Sequence, residues 1–235
     1  MNSHDSNIVM IEIVAKHLGA ALLEEMVFVG GAVAGLLITD PAQPSIRPTE
    51  DVDMIVQVLA HSDYYQLENR LRERGFTQDL HAEAPICRWK IQRITVDVMP
   101  TLEEILGFSN RWYAYALETA QKITLPSGSI IQCISAPLFV ATKLEAFSGR
   151  GNEDYLFSHD LGDLLAIVDG RDALIDECAQ TKDDLKTYLR DKLNALLQIP
   201  AFVQALPGHL PGDAASQERL PELKEKLKQL TGLKT

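Results

Sequence analysis

The sequence predicts an α+β fold: a mixed β-sheet with flanking helices, followed by an all-helical C-terminal region. Three observations carry this expectation. Short β-branched, aromatic and apolar runs alternate with helical stripes up to about residue 135. From Pro137 onward every periodic segment has helical spacing. The 235 residues suffice to bury a real core in one large domain or two small ones. The expected division is an α/β domain over 1–135 and a helical domain over 136–235.

The elements follow in chain order. Ile8, Ile11, Val14, Ala15 and Leu18 recur at helical spacing, so an amphipathic helix comes first. Residues 26–29 form a short apolar run ending at Gly30-Gly31, and 32–38 read as a helix. Residues 40–48 make a polar, proline-rich loop. Residues 52–59 read as a strand with too few charges for a sheet edge. A helix over 62–75 closes on a glycine cap. Residues 86–91 and 94–99 read as consecutive strands, and 122–125 with 129–134 as a hairpin around Ser127-Gly128. Ala136-Pro137 opens a helix that runs to about residue 148, and Leu161, Leu164, Leu165 and Val168 stripe the next. Thr181-x-x-Asp184 has the form of a capping box ahead of Leu185, Leu189, Leu193 and Leu196. Residues 207–212 read as a linker, and Leu220, Leu223, Leu227 and Leu230 form a last helix stopped at Gly232.

Composition narrows the class. Apolar residues at 46% and charged residues at 23% describe an ordinary globular protein. No apolar stretch approaches the roughly 20 residues that cross a bilayer, so no membrane partner is expected. No signal peptide is apparent at the N-terminus. Cys87, Cys133 and Cys178 lie far apart without a Cys-x-x-Cys, which fits a reducing cytoplasm and buried thiols rather than structural zinc. A net charge of −11 argues against a protein that coats nucleic acid non-specifically. Arg70, Arg72, Arg74, Arg88, Lys90 and Arg93 still make a basic middle, expected to be solvated helix and strand surface.

The chemistry concentrates in Gly30-Gly31 and, some twenty residues on, Thr49-Glu50-Asp51-Val52-Asp53. In a strand Asp51 and Asp53 project to the same face. Two adjacent carboxylates stay ionised cheaply only with a cation between them, and a hard divalent ion such as magnesium suits. The 17 aspartates give roughly one Asp-x-Asp by chance, so the pair matters only in its setting. A glycine pair opening a helix offers bare amides to phosphate. Asp97 puts a third carboxylate inside an apolar strand, where an unpaired charge is expensive. Carboxylates from two strands can cradle two magnesium ions about 4 Å apart. Lys143 and Arg150, seven residues apart, share a helix face. Asp160 flanks the apolar stripe of its helix and Asp163 lies further from it, which makes Asp160 the better site candidate. His159 is expected to be inert, and Trp112, Tyr113 and Tyr115 to serve packing rather than base stacking.

The order Gly30-Gly31, helix, Thr49-x-Asp51-x-Asp53, later strand Asp97 resembles the nucleotidyltransferase fold of the DNA polymerase β superfamily. Thr142-Lys143-Leu144-Glu145, Arg150-Gly151 and Ser158-His159-Asp160-Leu161-Gly162-Asp163 are similar to the nucleotidyl transferase AbiEii toxin family, with the likeness spanning roughly residues 25 to 175. His159 departs from the lysine or arginine frequent there. The resemblance implies an enzyme that transfers a nucleoside monophosphate from an NTP such as ATP and releases pyrophosphate. Asp51, Asp53 and Asp97 would hold two Mg2+ ions, with Asp97 a candidate to take the acceptor proton. Gly30, Gly31, Thr49, Lys143, Arg150 and Asp160 would bind the nucleotide. The acceptor could be an RNA end, a small molecule such as an aminoglycoside, or a protein hydroxyl. A toxin role would bring a cognate antitoxin as partner. The alternatives are an antibiotic-type small-molecule nucleotidyltransferase and a non-catalytic nucleotide-binding module.

Overall fold

A computed structural model describes residues 5–42, 46–107 and 109–234. The chain forms two compact units, Met1–Leu36 with Pro48–Ser135 and Leu37–Arg47 with Ala136–Thr235. The segment Leu37–Arg47 thus belongs with the C-terminal helices although it lies early in the sequence.

The first unit is built on a mixed sheet, seven-stranded among the described residues, in the order β3-β4-β5-β2-β1-β7-β6. The strands are β1 (Met26–Val29), β2 (Asp51–Val56), β3 (Thr77–Gln78), β4 (Arg88–Ile91), β5 (Ile94–Pro100), β6 (Gln121–Thr124) and β7 (Ile130–Cys133). β2 runs parallel to β5, and β1 parallel to β7, while the remaining pairs are antiparallel. β2 lies in the middle, and Val52, Met54, Ile55 and Val56 are buried, which fits the apolar run that follows its two aspartates. It ends at Val56, before the expected residue 59, because the chain leaves the ladder and Leu59 is solvent-exposed.

Helices flank the sheet: α1 (Ser6–Glu25), α2 (Ala34–Leu37, at the unit boundary), α3 (His61–Glu73), α4 (Glu103–Leu106) and α5 (Tyr113–Glu118). Asp5 caps α1 by accepting from the Asn7 amide at 2.8 Å. Ile8, Ile11, Val14 and Leu18 are buried against the sheet layer, as the periodicity predicts. One expectation needs correcting here. Ser6–Leu23 is long and apolar enough to cross a membrane by length and composition, so such a stretch does exist. Its buried face is what a core helix of a folded domain shows. The helix expected over 32–38 is instead a 3₁₀ turn, Gly31–Val33, followed by the short α2. α3 closes on Gly75 with φ +85°, and the β6–β7 hairpin turns on Gly128 with the same φ. Both confirm the glycine positions as turns that need a left-handed backbone.

The second unit carries α6 (Ala136–Arg150), α7 (His159–Gly170), α8 (Leu174–Ala179), α9 (Asp183–Leu197), α10 (Pro200–Ala205), α11 (Ala214–Gln217) and α12 (Leu220–Thr231). The expected capping box at Thr181 and Asp184 does not form. Thr181 donates its hydroxyl to the Cys178 carbonyl at 2.8 Å, closing α8, and Lys182 takes the cap position of α9. Residues 207–212 are no open linker either: Leu206–His209 is a 3₁₀ turn, and Leu206 and Leu210 are buried. The Gln217 amide ties this stretch down by donating to the carbonyls of Pro207, Leu210 and Pro211.

Candidate functional site

The sheet register assembles the aspartates. In the β2–β5 pair Asp53 stands opposite Asp97, and Asp51 opposite Thr95. Paired residues share a face, so Asp53 and Asp97 are neighbours and Asp51 joins them one pleat away. One carboxylate oxygen from each lies within 4.8 Å of the others. Asp97 is only 8% exposed, while Asp51 and Asp53 are half-buried. Three carboxylates at that separation repel strongly unless a cation joins them, and an all-oxygen donor set suits Mg2+.

Gly30 shows why the first motif contains glycine. It follows β1, whose Val29 pairs with Asp53, and adopts φ +71°. A Cβ at this position would overlap the Asp53 carboxylate. The missing side chain therefore makes room for a site carboxylate as well as leaving a bare amide. Gly31 begins the 3₁₀ turn and is buried. Thr49 braces the entry to β2: its hydroxyl donates to the Asp51 carbonyl and its amide to Asn7 Oδ1, each at 2.9 Å.

One residue of this site escaped the sequence reading. Arg88 on β4 is the register partner of Asp97 on the other side of β5. Its guanidinium donates from Nε to Asp97 Oδ1 at 2.9 Å and from Nη2 to Oδ2 at 2.7 Å, a two-pronged fork. That bond, with the charges of Asp97 and Asp51, raises the Arg88 pKa further above its ordinary value. Behind it, burial and the nearby Asp97 push the Cys87 thiol up to about 12.

The second set of predicted residues forms a buried ion-pair cluster within the helical unit. Lys143 on α6 is 9% exposed and donates to Asp163 at 2.7 Å and to Asp160 at 3.3 Å. Arg150, two turns on and mostly exposed, forks onto Asp160 with two 3.0 Å bonds. Lys143 and Arg150 do share a helix face. Burial alone would raise the Asp160 pKa, but the bonds and charges of Arg150 and Lys143 outweigh it and hold it below the usual carboxylate range. Both aspartates are buried and bond Lys143: Asp163, at 3% exposed, takes the shorter lysine bond, and Asp160 also accepts the Arg150 fork. The stripe argument assumed one buried face, whereas α7 is buried around most of its circumference. Arg47 adds a longer contact to Asp163 at 3.6 Å.

The remaining candidates lie at the surface or in the core. His159 is exposed at the start of α7, beside the Ser158 cap. Trp112 is buried, and Tyr113 sets its hydroxyl 3.6 Å from the Met99 sulfur. Most of the basic middle is neutralised by acids: Arg70 by Glu25, Arg72 by Glu68, Arg88 by Asp97 and Lys90 by Asp79.

No family model matches this chain, and no curated protein sequence matches it. Two solved structures from Helicobacter pylori are similar in chain path. JHP933 is 13% identical with a TM-score of 0.46, over 99% of this chain and 94% of that one. A second, called a "putative nucleotidyltransferase", is 13% identical with a TM-score of 0.45, over 99% and 96%. At that distance no activity passes from them to this chain. The chemistry has to come from the site.

Proposed function

We propose that this chain is a divalent-metal-dependent nucleotidyltransferase that moves a nucleoside monophosphate from an NTP onto an acceptor hydroxyl. The single observation that supports the reading is the carboxylate triad, Asp51, Asp53 and Asp97, with its oxygens within 4.8 Å across two paired strands. Asp51 and Asp53 would hold the metal, with Asp97 as a third carboxylate ligand. Bound magnesium supplies neutralising charge for the attacking oxygen and the departing pyrophosphate. The acceptor oxygen bonds to the α-phosphorus, and the bond from that phosphorus to the β-bridging oxygen breaks. Pyrophosphate leaves with the electron pair, and a triad carboxylate takes the acceptor proton. Catalysis of this kind is mostly positioning and charge neutralisation.

Gly30 lies next to Asp53, and its amide with that of the following Gly31 suits phosphate oxygens, with Thr49 fixing the strand that presents the triad. In the helical unit, Arg150 is the exposed cation suited to an anion, and Lys143 and Asp160 set its position. For the acceptor, the pairing of Arg70, Arg72, Arg88 and Lys90 with acids favours a small cationic molecule over an RNA end, since it removes the one basic groove the sequence offered. A toxin-type RNA substrate with a cognate antitoxin remains the second reading, carried by the motif resemblance.

The test incubates purified protein with α-labelled NTPs, Mg2+, and separate pools of total RNA, protein and small amines. Label should enter one pool and vanish when Asp51→Ala is combined with Asp53→Ala. Equal transfer by that double variant would sink the mechanism.

A further inference from the structure

The Arg88–Asp97 fork has a consequence for the metal. This inference rests on the triad reading above. Arg88 on β4 sits directly opposite Asp97 on β5, and its side chain is one-third exposed. It uses one lone pair on each Asp97 oxygen, and each oxygen has two. A divalent ion at the triad therefore meets Asp97 with a guanidinium already bound to the same two atoms. The two cations repel each other at such a separation. Without the ion, Arg88 is the cation that bonds Asp97 and offsets part of the repulsion among the three carboxylates.

We infer that Arg88 is a positioning residue that stands in for the metal, holding Asp97 in place in the metal-free protein and weakening the triad's affinity for divalent ions. Coupling of this kind is reciprocal: whatever strengthens the Arg88–Asp97 fork loosens the metal, and metal binding loosens the fork. A purely architectural arginine would do neither.

The test is a Mn2+ titration of the full chain, following the free-ion paramagnetic signal, with thermal melts at zero and saturating Mn2+. Removing one positive charge beside the site should tighten Mn2+ binding on the order of tenfold in Arg88→Gln. Arg88→Gln should also gain more melting temperature from Mn2+ than wild type does. Arg88→Lys, which keeps the charge without the fork, should fall between wild type and Arg88→Gln. A second measurement uses the wild-type protein: Mg2+ saturation should shift the Arg88 Nε–H resonance and speed its exchange with water. If Arg88→Gln binds Mn2+ no tighter than wild type, or the Nε–H signal ignores saturating Mg2+, the inference is overturned and the triad reading stands. If wild type shows no Mn2+ binding that Asp53→Asn removes, both fall together.

Discussion

Asp53 and Asp97 stand opposite each other in the parallel pair of β2 and β5, and Gly30 lies beside Asp53 on the other flank. Sheet register, rather than any loop, thus sets the spacing of the candidate metal ligands. A constellation on paired central strands is held more rigidly than one on loops. It follows that small backbone changes beside β2 should matter more than charge changes at the surface.

Gly30→Ala tests this. The new Cβ meets the Asp53 carboxylate, and φ +71° is strained for alanine. The expected cost is about 2 kcal/mol or more, together with loss of divalent-ion binding. Urea melts and a Mn2+ titration on one sample check both. A stable Gly30→Ala protein that binds Mn2+ normally would refute the steric account.

The Lys143 cluster should behave as a buried ion pair. Lys143→Ala leaves two buried carboxylates without their shared partner and should cost about 3 to 5 kcal/mol. Asp163→Asn should cost more than Asp160→Asn, because Asp163 is deeper and takes the shorter bond. Urea denaturation of the three variants at pH 7 gives the ranking.

Asp160 also fixes a pH dependence. Its pKa is depressed in the folded protein, so the folded state binds fewer protons and stability rises with pH. Its contribution is fully present above the unfolded value near 4 and is lost as pH falls through the lower folded value. The stability gap between wild type and Asp160→Asn should be flat from about pH 5 to 7 and shrink below about pH 4. Melts across that range would contradict the account if the gap widened on acidification.

The thiols give a simple accessibility test. Cys87, Cys133 and Cys178 are buried thiols, and burial pushes Cys87 and Cys178 each up to about 12. None should react with a disulfide reagent at pH 8 on the timescale of minutes, and all three should react in guanidinium.

Much of this was legible from local pattern, and what was not depended on pairing. The two-residue turn at Gln92-Arg93 joins β4 to β5 and fixes Arg88 opposite Asp97, so the fork could have been counted out along the hairpin. The parallel pairing that brings Asp53 to Asp97 could not, because residues 57–93, with a helix and two strands, separate β2 from β5 and no local rule sets their register. Asp51 and Asp53 are legible as a same-face pair on a strand, and Asp97 as a charge inside an apolar strand, where it is costly. The burial of Asp163 is not legible in the stripe, because a one-face helix rule fails when a helix is enclosed by its neighbours. The Thr181 cap failed for a nearby reason: its hydroxyl had a better use at the end of the preceding helix.

The most direct test of the central claim is a crystal grown with Mn2+ and a non-hydrolysable NTP analogue, read by anomalous diffraction. The account predicts a Mn2+ peak bonded to carboxylate oxygens of Asp51, Asp53 and Asp97, with the triphosphate against the Gly30-Gly31 amides. Nucleotide bound elsewhere, with no metal among the three aspartates, would contradict it.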